Sequence, residues 1–179
     1  MTETELIASL KNPKTLNIAF KELLNLYKER LYWHIRKIVI LHSDTDDVLQ
    51  NSFIKIYKNI NKFKGNSKLY SWMYRIATNE AITFVKQKAK KSNSATEELQ
   101  SKLINNLTSD EYFDGDEAQL KLLKAIATLP YKQQLVFNMK YFDKIKYKEM
   151  SDILETSEGA LKASYHIAKK KIKEYLTSN

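Results

Sequence analysis

At 179 residues, 43% of them hydrophobic but only three glycines and two prolines, the chain can fill one or two small cores and favours helix over a turn-rich β fold. It has no cysteine, and its three histidines, His34, His42 and His166, lack a carboxylate arrangement suited to a metal; disulfides are excluded, and neither a metal nor any other cofactor is expected. A formal net charge of +9 makes a polyanion the expected partner, although Lys-rich helices can also be merely well solvated.

The charge is unevenly placed. Bases exceed acids by eight over residues 1–90 and by five over 117–179, while acids exceed bases by four over 91–116. The N-terminus, MTETELIASLKNPK, has neither a basic leader nor an apolar stretch, and no run of about 18 apolar residues occurs. A cytoplasmic protein without membrane insertion of its own is expected.

In chain order, AFKELLNLYKERLYWHIRKIVI repeats apolar residues at helical spacing and predicts a helix over 19–40. Ser43 or Asp44 can cap a second helix running to about Ile60, with Asp46 and Asp47 in its first turn. Its buried stripe is Leu49, Phe53, Ile56 and Ile60, which leaves Asp47, Gln50, Asn51 and Ile54 on a more exposed face. FKGNSK reads as a loop, and a third helix follows from Leu69 to about Lys88 with Met73, Ile76, Ala77 and Phe84 inward. Residues 91–116, rich in Ser, Asn, Thr and acid, read as a flexible linker with at most one transient helical turn.

The C-terminal block opens with a helix near 117–129, stopped by Pro130, which suits the first turn of a helix over 131–142. YKEMSDIL is then a short helix, ETSEG a tight connection, and Ser157 a cap for a last helix from Glu158 to about Leu176. That is the helix-turn-helix pattern. The last helix divides into an apolar stripe (Leu161, Tyr165, Ala168, Ile172, Leu176) and a cationic face (Lys162, His166, Lys169 or Lys170, Lys173). One face to pack and one to enter a major groove is what a recognition helix needs; a solvated lysine face is the structural alternative.

In the N-terminal block, FKGNSKLYSWMYR interleaves Phe63, Tyr70, Trp72 and Tyr74 with Lys64, Lys68 and Arg75. Single-stranded nucleic acid offers a π-face at every base and a charge at every phosphate, so this mixture fits it, and Asn66 and Ser67 can hydrogen-bond an extruded base. Trp72 and Tyr74 also fit as core aromatics.

DTDDVLQNSFIKIYKNINKFKGNSKLYSWMYRIATNEAITFVKQKAKK resembles the core-binding and promoter-melting region of bacterial RNA polymerase sigma factors of the extracytoplasmic function (ECF) type. LPYKQQLVFNMKYFDKIKYKEMSDILETSEGALKASYHIAKKKIKEYL resembles the C-terminal helix-turn-helix of the same family, and AFKELLNLYKERLYWHIRKIV its first helix. The resemblance implies an all-α fold of two small helical domains joined by a flexible linker: 1–90 for polymerase binding and −10 recognition, 91–116 as acidic linker, and 117–179 for −35 recognition. It assigns polymerase docking to Asp47, Gln50, Asn51 and Ile54. It assigns −10 capture to Lys64, Gly65, Asn66, Ser67 and Lys68, with Tyr70, Trp72, Arg75, Thr78 and Asn79, and −35 reading to Ser157, Glu158, Lys162, Ala163, His166 and Lys169. Core RNA polymerase, promoter DNA and an anti-sigma factor are the implied partners, and polymerase, not this chain, supplies the chemistry. The linker acids, Glu97, Glu98, Asp110, Glu111, Asp114 and Asp116, are implied to pass through the polymerase interior where RNA later lies; a merely soluble tether is the alternative.

The last helix departs from many relatives in carrying no arginine. Lysine lacks the planar fork for a two-point contact to guanine, so a different −35 base preference is expected.

Overall fold

The computed structural model describes residues 1–110 and 113–178. Among them are nine α-helices: α1 (Glu3–Lys11), α2 (Leu16–Val39), α3 (His42–Asn59), α4 (Leu69–Lys91), α5 (Thr96–Asn105), α6 (Glu117–Ala127), α7 (Tyr131–Tyr141), α8 (Tyr147–Leu154) and α9 (Glu158–Ser178). No strand occurs among the described residues, in keeping with the all-α expectation.

The expected periodicities build the N-terminal bundle. Leu23, Leu31 and Ile35 of α2, Leu49, Phe53 and Ile56 of α3, and Met73, Ala77 and Ala81 of α4 are buried in one cluster. Each large aliphatic side chain so buried contributes roughly 1.5–3 kcal/mol. A γ-turn at Ile40 (φ 74°, ψ −56°), closed by Leu41 N–H donating to Val39 C=O at 3.0 Å, reverses the chain between α2 and α3. A β-branched residue at positive φ is costly, and Ile40 is held there by burial against Ile104, Leu107 and Ala127.

Two helices lie where the sequence predicts none. Helix α1 starts in a capping box: Glu5 N–H donates to the Thr2 hydroxyl (3.2 Å) and Thr2 N–H to the Glu5 carboxylate (2.7 Å). Its Leu6 and Leu10 are buried in the N-terminal core. Helix α5 occupies part of the expected linker. Leu99, Ile104 and Leu107 are buried, and Gln100 Nε2 donates to the Ile38 carbonyl at 2.6 Å, so this stretch is packed rather than free.

The C-terminal helices follow the predicted boundaries within two residues. Val136, Met139, Met150, Ile153 and Leu161 pack where α7, α8 and α9 meet, and Ile126, Phe137, Ala168 and Ile172 join α6, α7 and α9. The halves interpenetrate: Tyr131 and Leu135 of α7 enter the N-terminal core, while Tyr74 of α4 enters the core of α7 and α8.

Candidate nucleic-acid and polymerase interfaces

Helix α3 carries its buried stripe inward, so Asp47, Gln50, Asn51 and Ile54 all face solvent. Asp47, Gln50 and Ile54 line a groove whose opposite wall is α2, with Tyr32 and Trp33. Trp33 is 51% and Ile54 45% exposed, a large apolar display for a surface away from any core. The sequence pattern marks only residues of the α3 wall as candidates. Trp33 was the available signal, because it falls outside the apolar stripe of α2.

The loop before α4 is a bulge between fixed points. Lys64, Gly65, Asn66, Ser67 and Lys68 are all exposed, whereas Phe63 and Leu69 at its ends are buried. Gly65 sits at φ 76°, a conformation that side chains with a Cβ rarely adopt, and an added Cβ there would meet open space; backbone, not crowding, calls for glycine. Trp72 lies against Phe63, ring centroids 5.3 Å apart, and Arg30 covers the Tyr70 ring at 3.8 Å. Burial pushes the Tyr70 phenol up to about 12. Arg75 and Asn79 are exposed on α4.

Thr78, expected on the same DNA-facing surface, is fully buried. Tyr74, Thr78, Ala81 and Val85 recur at spacings of four, three and four, so Thr78 belongs to an inward stripe of α4. Tyr74 is likewise a core aromatic.

Around Thr78 lies a buried polar cluster joining the two halves. Asp143, on the turn between α7 and α8, meets His34 Nδ1 at 2.9 Å, Lys37 Nζ at 2.8 Å and the Tyr74 hydroxyl at 2.7 Å. His34 Nε2 lies 2.7 Å from the Thr78 hydroxyl, and the imidazole stacks on Tyr74 at 3.8 Å. Burial lowers the His34 pKa, outweighing the pull of Asp143. Burial alone would raise Asp143, but hydrogen bonds from His34 and Lys37 and the positive charge of Lys37 overcome it and hold the carboxyl at about 2. Ser71 of α4 also donates to Glu149 of α8 at 3.0 Å. In this arrangement the helix-turn-helix is docked on α4.

The helix-turn-helix itself has the expected form. Glu155 closes α8 in the left-handed region (φ 50°), and Ser157 Oγ accepts Ala160 N–H at 3.3 Å at the start of α9. Glu158, Lys162, Ala163, His166 and Lys169 of α9 are all exposed, as is Ser157 just before it, while Leu161, Ala168 and Ile172 are buried. Lys162 also reaches over the Tyr147 ring at 5.7 Å, a contact the sequence did not announce.

Of the linker acids, Glu97 accepts the Tyr131 N–H at 3.0 Å, Asp110 pairs with Arg36 at 3.1 Å and Asp116 caps α6. Glu111 lies outside the described residues. Among the described residues there is no group of histidines and acids able to hold a metal, and no helix long and apolar enough to cross a membrane.

Two family models match in the order of these surfaces: Sigma-70 region 2 over residues 23–91 and Sigma-70 region 4 over 119–172. The chain belongs to the ECF sigma factor family. The ECF RNA polymerase sigma factor SigW of Bacillus subtilis (strain 168) is 27% identical over 168 residues, covering 88% of this chain and 89% of that protein. The ECF RNA polymerase sigma-E factor of Escherichia coli (strain K12) is 26% identical over 139 residues, 72% of each chain. Among solved structures, the sigma factor RpoE in complex with the anti-sigma factor NepR from Bartonella quintana matches with a TM-score of 0.67 at 17% identity, over 88% of this chain and 96% of that one. CnrH in complex with the cytosolic domain of CnrY matches with a TM-score of 0.68 at 18% identity, over 99% and 98%. This sigma factor is a transcription regulator that works with RNA polymerase.

Proposed function

We propose that this sigma factor docks on core RNA polymerase through the α2–α3 groove, captures an unpaired −10 base with loop 64–68, and reads the −35 element with α9. Asp47, Gln50, Asn51 and Ile54 form the docking face on α3. Arg75 and Asn79 of α4 flank the captured strand, beside Tyr70 and Trp72; Thr78 can join them only if the His34–Asp143 cluster opens. Ser157, Glu158, Lys162, Ala163, His166 and Lys169 face the −35 duplex. The observation that carries the reading is the coexistence, in a strongly basic protein, of an exposed groove that presents Trp33 and Ile54 beside Asp47 and Gln50, and two exposed cationic surfaces. The groove is matched to a protein partner and the cationic surfaces to DNA.

The division into 1–90, 91–116 and 117–179 follows from that reading. The closed arrangement holds both DNA-facing units together, whereas two promoter elements about two helical turns apart lie roughly 70 Å from each other. With α5 kept helical, 91–116 reaches at most about 70 Å, so engagement of both elements stretches this segment. Its acids then leave Arg36 and the α7 start and become free to line the RNA path. The chain is not itself an enzyme, since metal and chemistry come from polymerase, and it works in the cytoplasm. An anti-sigma factor covering the polymerase-binding and DNA-binding faces of both domains is the expected restraint.

Transcription by bacterial core polymerase on a randomised promoter library tests the reading. New start sites sharing two spaced upstream elements are expected only when the protein is added. Duplex binding without core binding or new transcripts would instead make it a stand-alone helix-turn-helix regulator.

A further inference from the structure

Helix α1 lies outside both segments matched by the family models, yet it touches both ends of the −10 loop. At the near end, Lys11 Nζ donates to the Phe63 carbonyl at 2.6 Å, and the ammonium lies 5.9 Å from the Phe63 ring centroid. Phe63 closes the 3-10 turn Ile60–Lys62 that extends α3, so a cation sits where unpaired carbonyls and the negative end of the helix dipole emerge. At the far end, Leu69 N–H, in the first turn of α4, donates to Glu3 Oε1 at 3.2 Å. The residue preceding α4, Lys68, has no side-chain acceptor to cap it, so Glu3 supplies the missing acceptor and a negative charge at the positive end of the dipole.

Apolar packing reinforces the same two points. Leu6 and Leu10 of α1 are buried in the cluster that contains Phe63 and Leu69. Five exposed residues therefore hang between two ends fixed by one short helix, while Gly65 supplies the turn at the tip.

We propose that α1 is a brace for base capture, with Glu3 and Lys11 as positioning residues that hold loop 64–68 in its receptive shape. A loop ordered before binding loses less conformational freedom when a base enters, so the brace acts on affinity for unpaired DNA without touching it. This rests on the reading of the loop as the −10 capture element.

The test uses full-length protein bound to core polymerase and a fluorescent single-stranded DNA selected by the unaltered protein from a pool randomised over ten positions. The double variant Glu3→Ala/Lys11→Met is expected to bind that oligonucleotide about 10-fold more weakly, with core affinity and −35 duplex binding unchanged. Glu3→Gln/Lys11→Arg, which keeps an acceptor and a donor, is expected to stay within about two-fold of the unaltered protein. Asn66→Ala serves as the control for the loop itself. If Asn66→Ala weakens capture and the double variant does not, the brace is overturned while the loop reading stands. If the double variant loses core and duplex binding in equal measure, its role is general stability and the positioning role is overturned. If Asn66→Ala leaves capture unchanged, the loop reading fails and this inference with it. Should the double variant not fold, Lys11→Met alone is read in the same assays, with a loss confined to single-stranded binding expected and no loss counting against the brace.

Discussion

The carboxylate of Asp143 accepts the hydroxyl of Tyr74 at 2.7 Å, joining the turn of one helical unit to the central helix of the other. His34 and Lys37 converge on the same carboxylate, and its side chain is only 13% exposed. Removing it leaves three polar groups of the N-terminal bundle facing an apolar interface, two of them with little access to water. Asp143→Ala is therefore expected to cost about 2–4 kcal/mol, near the range for breaking a buried pair, less what Lys37 recovers by reaching solvent. A compact chain of this length has a radius of gyration of about 16 Å. Small-angle scattering is expected to show Asp143→Ala larger than the unaltered protein; equal radii would show that the shared apolar core, not the carboxylate, keeps the halves together.

Acid should loosen the same contact. Asp143 is held at about 2, below its ordinary 3.8, so its contribution is present above pH 4 and is lost as pH falls toward 2. It amounts to roughly 2 kcal/mol. His34 is lowered from 6.5 by burial, so the unfolded chain takes up its proton first and stability begins to fall below about pH 6.5. Both groups act in one direction. Thermal melts from pH 7.5 to 3 are expected to show a falling midpoint, and His34→Gln should flatten the part of that fall above pH 5. A midpoint that rises on acidification would mean that His34 is charged in the folded protein.

Replacing Asp47 and Gln50 together by Ala is expected to weaken binding to core polymerase by about 10-fold, roughly 1.4 kcal/mol. Both side chains are exposed, so the melting free energy should change by no more than about 0.5 kcal/mol. Affinity measured by fluorescence polarisation with unchanged circular dichroism checks this. Retained affinity would move the docking face elsewhere.

Local signals carried much of the fold. The stripe Leu49, Phe53, Ile56, Ile60 and the YKEMSDIL–ETSEG–basic-helix sequence needed only a period of 3.6 and turn chemistry to be legible. Helix α1 was legible in principle, since Thr2 and Glu5 form a capping box ahead of Leu6 and Leu10. Helix α5 was masked by its Ser- and Asn-rich surroundings, and its Ile104 is buried in a cluster with residues distant in sequence, Ile40 and Ala127. The interdomain cluster was beyond reach. His34 and Asp143 are 109 positions apart, and neither has a neighbour in sequence that announces the other. Thr78 is the opposite case: its family position implies a DNA-facing residue, whereas the stripe Tyr74, Thr78, Ala81, Val85 turns it inward.

On α9, base reading and phosphate holding should separate experimentally. Lys162 lies one turn into the helix, exposed beside Ala163, with its ammonium over the Tyr147 ring; Lys170 is exposed two turns further on. Residues near the start of a recognition helix meet base edges, and later cations meet the backbone. Lys162→Ala is therefore expected to cost about 1–3 kcal/mol on the selected −35 duplex and much less on scrambled duplex. Lys170→Ala should weaken both duplexes alike and reduce the slope of log affinity against log salt by about 0.9, the loss of one phosphate contact. Titrations of both duplexes from about 50 to 200 mM salt distinguish the two. A sequence-dependent loss at Lys170, with a uniform loss at Lys162, would reverse the helix in the groove and place its C-terminal half against the bases.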